Sequence, residues 1–149
     1  MPIARPALAS DLPSLLELFR ASEVSAAAEP RDRAEAIWSQ MLAHQGVTVF
    51  VSALDDKIVA TCMLITVLNL LRGGKGYGFI ENVVTHPAFR GQGHGRTVVG
   101  AALTAAWAKD CYHVLLQSGR KDPRVHRFYE NCGFIPGRRV AYLAQRPVA

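Results

Sequence analysis

One stretch constrains this chain more than any other. Residues 81–96 read Glu-Asn-Val-Val-Thr-His-Pro-Ala-Phe-Arg-Gly-Gln-Gly-His-Gly-Arg. An apolar strand ends at Thr85, a Pro-containing turn follows, and a glycine-rich loop then feeds a helix. Glycines at alternate positions, Gly91, Gly93 and Gly95, let the backbone turn tightly with its N–H groups exposed. Those N–H groups lie at a helix N-terminus, where the macrodipole favours negative charge. Arg90 and Arg96 bracket the loop with positive charge. The stretch reads as a pyrophosphate cradle, with an ordinary glycine-rich turn as the competing reading.

Two other phosphate loops fail against it. A Walker A loop needs G-x-x-x-x-G-K-[ST]. Gly95-Arg96-Thr97 imitates its end, but Arg90 stands at the first glycine and Arg96 replaces the lysine. A Rossmann fingerprint needs G-x-G-x-x-G near the first strand. Counted from Gly91 the last glycine position holds Arg96, and counted from Gly93 it holds Val98.

A chain of 149 residues fits one domain, residues 1–149, and half of it is apolar. The net charge of +5 suits an anionic small ligand or nucleic acid without choosing between them. Its basic residues are scattered apart from Arg138-Arg139 and the group Arg120, Lys121, Arg124 and Arg127, so no long Lys/Arg run appears. Cys62, Cys111 and Cys132 form no C-x-x-C pair, and the N-terminus has no apolar signal region. A reducing cytoplasm is expected. The five His and three Cys lack zinc-ligand spacing, so no metal is expected. The longest apolar run, residues 58–71, is short for a membrane span and carries Thr and Asn.

Along the chain, residues 7–21 read as a helix with Ser10 or Asp11 as cap, Pro13 in the first turn, and a stripe of Leu12, Leu15, Leu16 and Phe19. Residues 31–44 read as a second helix with Ala34, Ile37, Trp38, Met41 and Leu42 at helical spacing. Strands are predicted at residues 47–54, 58–70 and 77–85, joined by short loops and therefore an antiparallel meander. A helix over residues 94–109 has Val98, Val99, Ala102, Leu103, Ala106 and Trp107 inward. With the strand before it and a strand at residues 112–117 it reads as a βαβ crossover whose two strands are parallel. Asp122-Pro123 opens a short helix that buries Val125, Phe128, Tyr129 and Cys132 and ends at Gly133. Residues 134–135 and 140–144 read as the last strands. The expected fold class is α+β, a mixed sheet flanked by helices.

What the loop does fit is R-x-x-G-x-G, with Arg90, Gly93 and Gly95. With this pattern the sequence resembles the GNAT superfamily, the acyl-CoA-dependent N-acetyltransferases. The likeness covers nearly the whole chain, from Arg5-Pro6-Ala7 and Ser10-Asp11-Leu12-Pro13 through the loop to Phe128-Tyr129-Glu130-Asn131-Cys132-Gly133-Phe134, similar to that family's Phe-Tyr-x-x-x-Gly-Phe segment. Ile80-Glu81-Asn82-Val83-Val84, Cys111-Tyr112 and Glu130-Asn131-Cys132-Gly133-Phe134 look most like the glucosamine-6-phosphate N-acetyltransferase branch.

The resemblance implies acetyl-CoA as cosubstrate and a primary amine as acceptor. It implies that N–H groups of Arg90, Gly91, Gln92, Gly93, His94, Gly95 and Arg96 hold the pyrophosphate. It also implies that a bulge near Val83 and Val84 frees an N–H for the thioester carbonyl. Glu81, a carboxylate inside an apolar strand and sharing a face with Phe79 and Val83, is either a general base or a structural or substrate-anchoring group. Tyr129 is either the acid that protonates the leaving thiolate or a core aromatic. Asp122 stands where many relatives have Asn, so it either meets the cofactor arm or caps its helix; Phe128 packs beside that arm or in the core. His94 and His126 read as solvated rather than basic catalysts. Arg72 and Lys75 either bind an anionic group on an amino sugar phosphate or amino acid, or serve solubility. A protein acetyltransferase or a non-catalytic acyl-CoA sensor is the alternative. A homodimer is expected, with residues 140–144 available to pair or exchange between subunits; no nucleic-acid or membrane partner is expected.

Overall fold

The computed structural model describes residues 1–148. The chain divides into two compact units, Met1–Leu116 and the residues from Gln117 onward. The first unit is built on a five-stranded mixed sheet of β1 (Ala4–Pro6), β2 (Val47–Leu54), β3 (Lys57–Val67), β4 (Tyr77–Thr85) and β5 (Val114–Leu116), in that spatial order. β1 to β4 pair antiparallel, and β5 runs parallel to β4. The crossover is α3 (His94–Ala108), as the alternation of patterns predicts. The β2–β3 hairpin turns on Asp55 and Asp56, both at positive φ (49° and 64°), the geometry that follows the sheet's own twist and that Asp tolerates.

Each face of the sheet is covered. On one face α1 (Leu12–Ser22) and α2 (Arg31–Ala43) bury Leu12, Leu15, Leu18, Ala34 and Trp38 against Val49, Val51, Ile58 and Val84. Burying each of these larger side chains contributes about 1.5–3 kcal/mol. Leu18, fully buried, lies outside the predicted stripe, while Leu16 and Phe19 are only half-buried. The entry to α1 is a 3-10 turn, Ala9–Asp11. Asp11 accepts the Leu8 N–H at 2.7 Å and pairs with Arg5 at 2.7 Å; the guanidinium holds its carboxyl below the ordinary range. On the other face α3 lays Val98, Val99, Ala102 and Ala106 on the strands. These small side chains recur on one stripe and let the helix lie close. Trp107, expected inward, is half-exposed (52%).

β3 ends at Val67 rather than Leu70 because its neighbours end there: β2 starts at Val47 and β4 at Tyr77, opposite Val67. Leu68, Leu70 and Leu71 are thus left outside the sheet at 75–99% exposure.

The second unit contains α4 (Pro123–Asn131). Asp122 caps it, accepting the Arg124 N–H at 2.9 Å. Its end is a Schellman turn: Gly133, at φ 99°, donates to Glu130 and Phe134 donates to Tyr129. The strands expected at residues 134–135 and 140–144 do not form. Strand propensity is a preference for packing on neighbouring strands, and among the described residues this unit holds no other strand. Val140, Tyr142 and Leu143 are 76–92% exposed. This unit carries seven Lys/Arg against two Asp/Glu, so the whole net charge of +5 resides in it and the first unit is neutral.

Leu18→Ala is expected to lower the unfolding free energy by roughly 2–5 kcal/mol in urea titrations. Leu68→Ala, which opens no cavity, is expected to stay within about 0.5 kcal/mol of the parent.

Candidate functional site

β4 does not run straight. Met63 pairs with Glu81 and Thr61 with Val84, so Asn82 and Val83 together face Cys62 alone. This is a β-bulge, and Asn82 supplies its left-handed residue at φ 53°. Asn reaches that region more readily than a β-branched residue does. The bulge lies at Asn82 and Val83, one residue before the Val83–Val84 position that the resemblance implies, and it interrupts the ladder there.

The bulge also changes which residues share a face. Glu81 stands opposite Met63, and Met63 opposite Val49, so all three point toward the α1/α2 side. Val84, 5% exposed, belongs to that same cluster. The simple alternation expected to group Val83 with Phe79 and Glu81 is therefore corrected: the extra residue brings Val84 onto the Glu81 face. Glu81 is half-buried. The three ion pairs among the described residues are Arg5–Asp11, Lys75–Asp110 and Arg124–Asp122, and none involves Glu81. An apolar strand thus carries a carboxylate that forms no ion pair among the described residues.

From Thr85 the chain enters the loop through a 3-10 turn, Pro87–Phe89. His86 fixes this turn, donating its N–H to Val59 at 2.8 Å and accepting from Ala88 N–H on Nδ1 at 3.1 Å. Gly91 (φ 76°) and Gly93 (φ 91°) take the left-handed conformations for which glycine is suited. Gly95 does not: it is the second residue of α3 and is buried. The first helical bond runs from Thr97 N–H to Gly93 carbonyl at 3.0 Å, and the Thr97 hydroxyl donates to the same oxygen at 2.8 Å. The N–H groups of Gly93, His94, Gly95 and Arg96 precede that bond, and no side chain caps the helix. Arg90, Gln92 and Arg96 are exposed beside them. The donor set therefore suits an anionic oxygen cluster.

His94 differs from its sequence reading. It is not solvated but 5% exposed, and its Nδ1 lies 2.8 Å from Ser52 Oγ. His126 is exposed, as expected. Arg72 lies over the Tyr112 ring at 5.1 Å, and Lys75 pairs with Asp110 at 3.3 Å, so each loop cation has a local partner.

In the second unit, Phe128 and Tyr129 stack edge-on at 5.1 Å, and Tyr129 meets Phe134 at 6.2 Å. Val125, Phe128, Tyr129 and Cys132 are half-buried, the face predicted for α4. Asp122 is occupied with capping and with Arg124, whose guanidinium pulls the carboxyl down to about 2. Glu81, Val83, Val84 and the loop thus share the first unit, whereas Asp122, Phe128 and Tyr129 share the second.

Cys62 is buried, its thiol pushed up to about 12 by burial, and it donates to the Val98 carbonyl at 3.3 Å. No cluster of three His, Cys, Asp or Glu suited to a metal occurs among the described residues. A cavity of about 410 Å³ between α1 and α2 is lined by Ser10, Arg31, Glu35 and Trp38, among others, with no residue from β4 or the loop. Two residues escaped the sequence reading. Asn82 carried a signal, a turn-forming residue inside a β-branched strand; Ser52 carried none.

The acetyltransferase (GNAT) family model matches residues 12–134, which includes β4, the loop and α4. The chain belongs to this family. Membership places it among N-acetyltransferase enzymes. A solved structure from Agrobacterium tumefaciens str. C58, described as an acetyltransferase, is 45% identical, with a TM-score of 0.88 over 95% of this chain and 99% of that one. A glucosamine 6-phosphate N-acetyltransferase of Trypanosoma brucei brucei is 32% identical over 84% of this chain and 83% of its own. A rice (Oryza sativa subsp. japonica) protein described as glucosamine 6-phosphate N-acetyltransferase 2 is 36% identical over 56% of this chain; the match spans about half of that protein (49%).

Asn82→Gly is expected to leave thermal stability nearly unchanged. Asn82→Val forces a β-branched residue into the left-handed region and is expected to cost roughly 1–3 kcal/mol, measured by thermal unfolding. The Cys62 thiol is expected to resist maleimide at pH 8 in the native protein and to react on unfolding.

Proposed function

We propose that the chain transfers an acetyl group from acetyl-CoA to the primary amine of a small molecule, an amino sugar phosphate foremost and an amino acid second, by direct attack with both substrates bound. The observation that carries this reading is the uncapped start of α3, where Gly93, His94, Gly95 and Arg96 present free N–H groups immediately after the bulged strand β4. The names of the trypanosome and rice relatives supply the acceptor class.

Acetyl-CoA supplies a thioester, and the chain supplies the groups around it. Backbone N–H groups of Arg90, Gly91, Gln92, Gly93, His94, Gly95 and Arg96 hold the pyrophosphate, aided by the helix dipole. Val83, in the bulge, and Val84, just beyond it, provide the backbone donor that stabilises negative charge on the carbonyl oxygen. Glu81 takes the proton from the attacking amine, directly or through water; its position outside the ion pairs among the described residues supports that role. Tyr129 returns a proton to the departing thiolate, a step open to a phenol. Phe128 and Asp122 flank the cofactor arm, Asp122 chiefly by starting α4. Arg72 meets the acceptor's anionic group: stacking on Tyr112 engages only the face of the guanidinium and leaves its in-plane N–H donors available. The protein acts in the cytoplasm as a homodimer, a reading supported by the exposed Val140, Tyr142 and Leu143.

Thiol release from acetyl-CoA, assayed against a panel of amines, tests the proposal. Turnover with an amino sugar phosphate is expected, and Glu81→Gln or Tyr129→Phe is expected to lower kcat by about 10²–10⁴. Absence of CoA binding by calorimetry overturns the reading; binding without turnover on any amine points to a sensor.

A further inference from the structure

The side chain of His94 has no part in the reaction above, yet it is one of the few buried polar groups of the first unit. Ser52, Thr61 and His94 are the buried polar residues among those described. Thr61 bonds within the sheet, to the Phe50 carbonyl at 2.8 Å. Ser52 and His94 instead join two elements: Ser52 is on β2, fully buried, and His94 is the first residue of α3. Their contact, Ser52 Oγ to His94 Nδ1, measures 2.8 Å. Either the hydroxyl donates to a neutral Nδ1 or an Nδ1–H donates to the hydroxyl, and both keep the link.

The rest of the α3 interface cannot do what this bond does. Val98, Val99, Ala102 and Ala106 are small and apolar, and their contacts fix the spacing of helix and sheet without fixing direction. A hydrogen bond is directional. Placed at the first residue of α3, this one sets the rotation of the turn whose N–H groups face outward. The Cys62 thiol on the Val98 carbonyl is a weaker second tie, one turn further along. On the loop side, Phe89 sits edge-on to His94 at 6.5 Å and to His86 at 5.3 Å, and His86 is tied to β3 through Val59. The loop is thus pinned at both ends: His86 holds its entrance and His94 its exit.

We propose that Ser52 and His94 are positioning residues that aim the N–H groups of Gly93, Gly95 and Arg96, so that their hydrogen bond sets affinity for the anionic end of the cosubstrate rather than the rate of the chemical step. The proposal rests on the reading of this loop as the coenzyme A pyrophosphate site.

The test compares Ser52→Ala, His94→Leu, His94→Asn and the double variant Ser52→Ala/His94→Leu. Leu fills the space without a polar atom, whereas an Asn side chain places a polar atom near the position of Nδ1. Kd for CoA by calorimetry, KM and kcat for acetyl-CoA, melting temperature, and the ¹H–¹⁵N amide shifts of Gly93 and Gly95 without ligand are measured for each. Ser52→Ala and His94→Leu are expected to raise Kd and KM about tenfold with kcat within about twofold, and to move both glycine amides. His94→Asn is expected to restore most of the affinity. The double variant is expected to lose less than the two single variants combined, since no buried polar group is left without its partner. Parent-like Kd and unmoved glycine amides in a folded Ser52→Ala protein overturn the positioning role, as does a lowered melting temperature with unchanged Kd. If the parent itself does not bind CoA, the coenzyme reading fails, while the amide shifts still decide whether the pair sets the loop.

Discussion

An α-helix cannot satisfy the N–H groups of its own first turn. A side-chain cap can cover part of that deficit, as Asp122 does in α4. α3 has no such cap, and much of the first unit is arranged around keeping it so. Glycine at the N-cap has no side chain to fold back, and Gly91 and Gly93 bend the approaching chain away from the helix end. The buried side chain of His94, the first residue of α3, is turned toward the sheet. Helix partial charge and donors are therefore left together at the surface, a combination that favours an anion.

The second constraint is one of parity. A regular strand sends alternate residues to opposite faces, and a single extra residue reverses the count beyond it. In β4 the reversal falls at Asn82–Val83. Ile80, before it, is buried with Leu64 opposite; Val84, after it, joins the cluster under α1 and α2 that Glu81 also faces. The strand thus has a break in its ladder next to its one carboxylate. An unbroken strand would have neither the loosened backbone nor this arrangement of faces.

Much of this was legible from residue order. β2 and β4 have the predicted bounds, and α2, α3 and α4 differ from prediction by a residue or so at an end. Their periodicity is local, and Asp122 marks the start of α4. The glycine loop, read against patterns it failed to match, pointed to the family before any geometry was known. What was missed depends on partners distant in sequence. The length of β3 is set by where β2 and β4 stop, and residues 140–144 have strand composition without a strand beside them. Trp107 faced outward and Leu18 inward because helix faces are chosen by the whole sheet, not by one stripe. Ser52 and His94 are 42 residues apart, and neither announces the other.

The distribution of charge separates two kinds of attraction. The first unit is neutral, while the residues from Gln117 onward hold the entire excess of +5. Attraction from exposed Arg and Lys extends over a Debye length of about 8 Å at physiological ionic strength and fades as salt is added. Hydrogen bonds from the N–H groups of α3 act only on contact and are far less affected by dissolved ions. The charge of the residues from Gln117 onward thus acts at a distance and is screened by salt, whereas the donors of α3 act by contact, so the two attractions answer to different conditions.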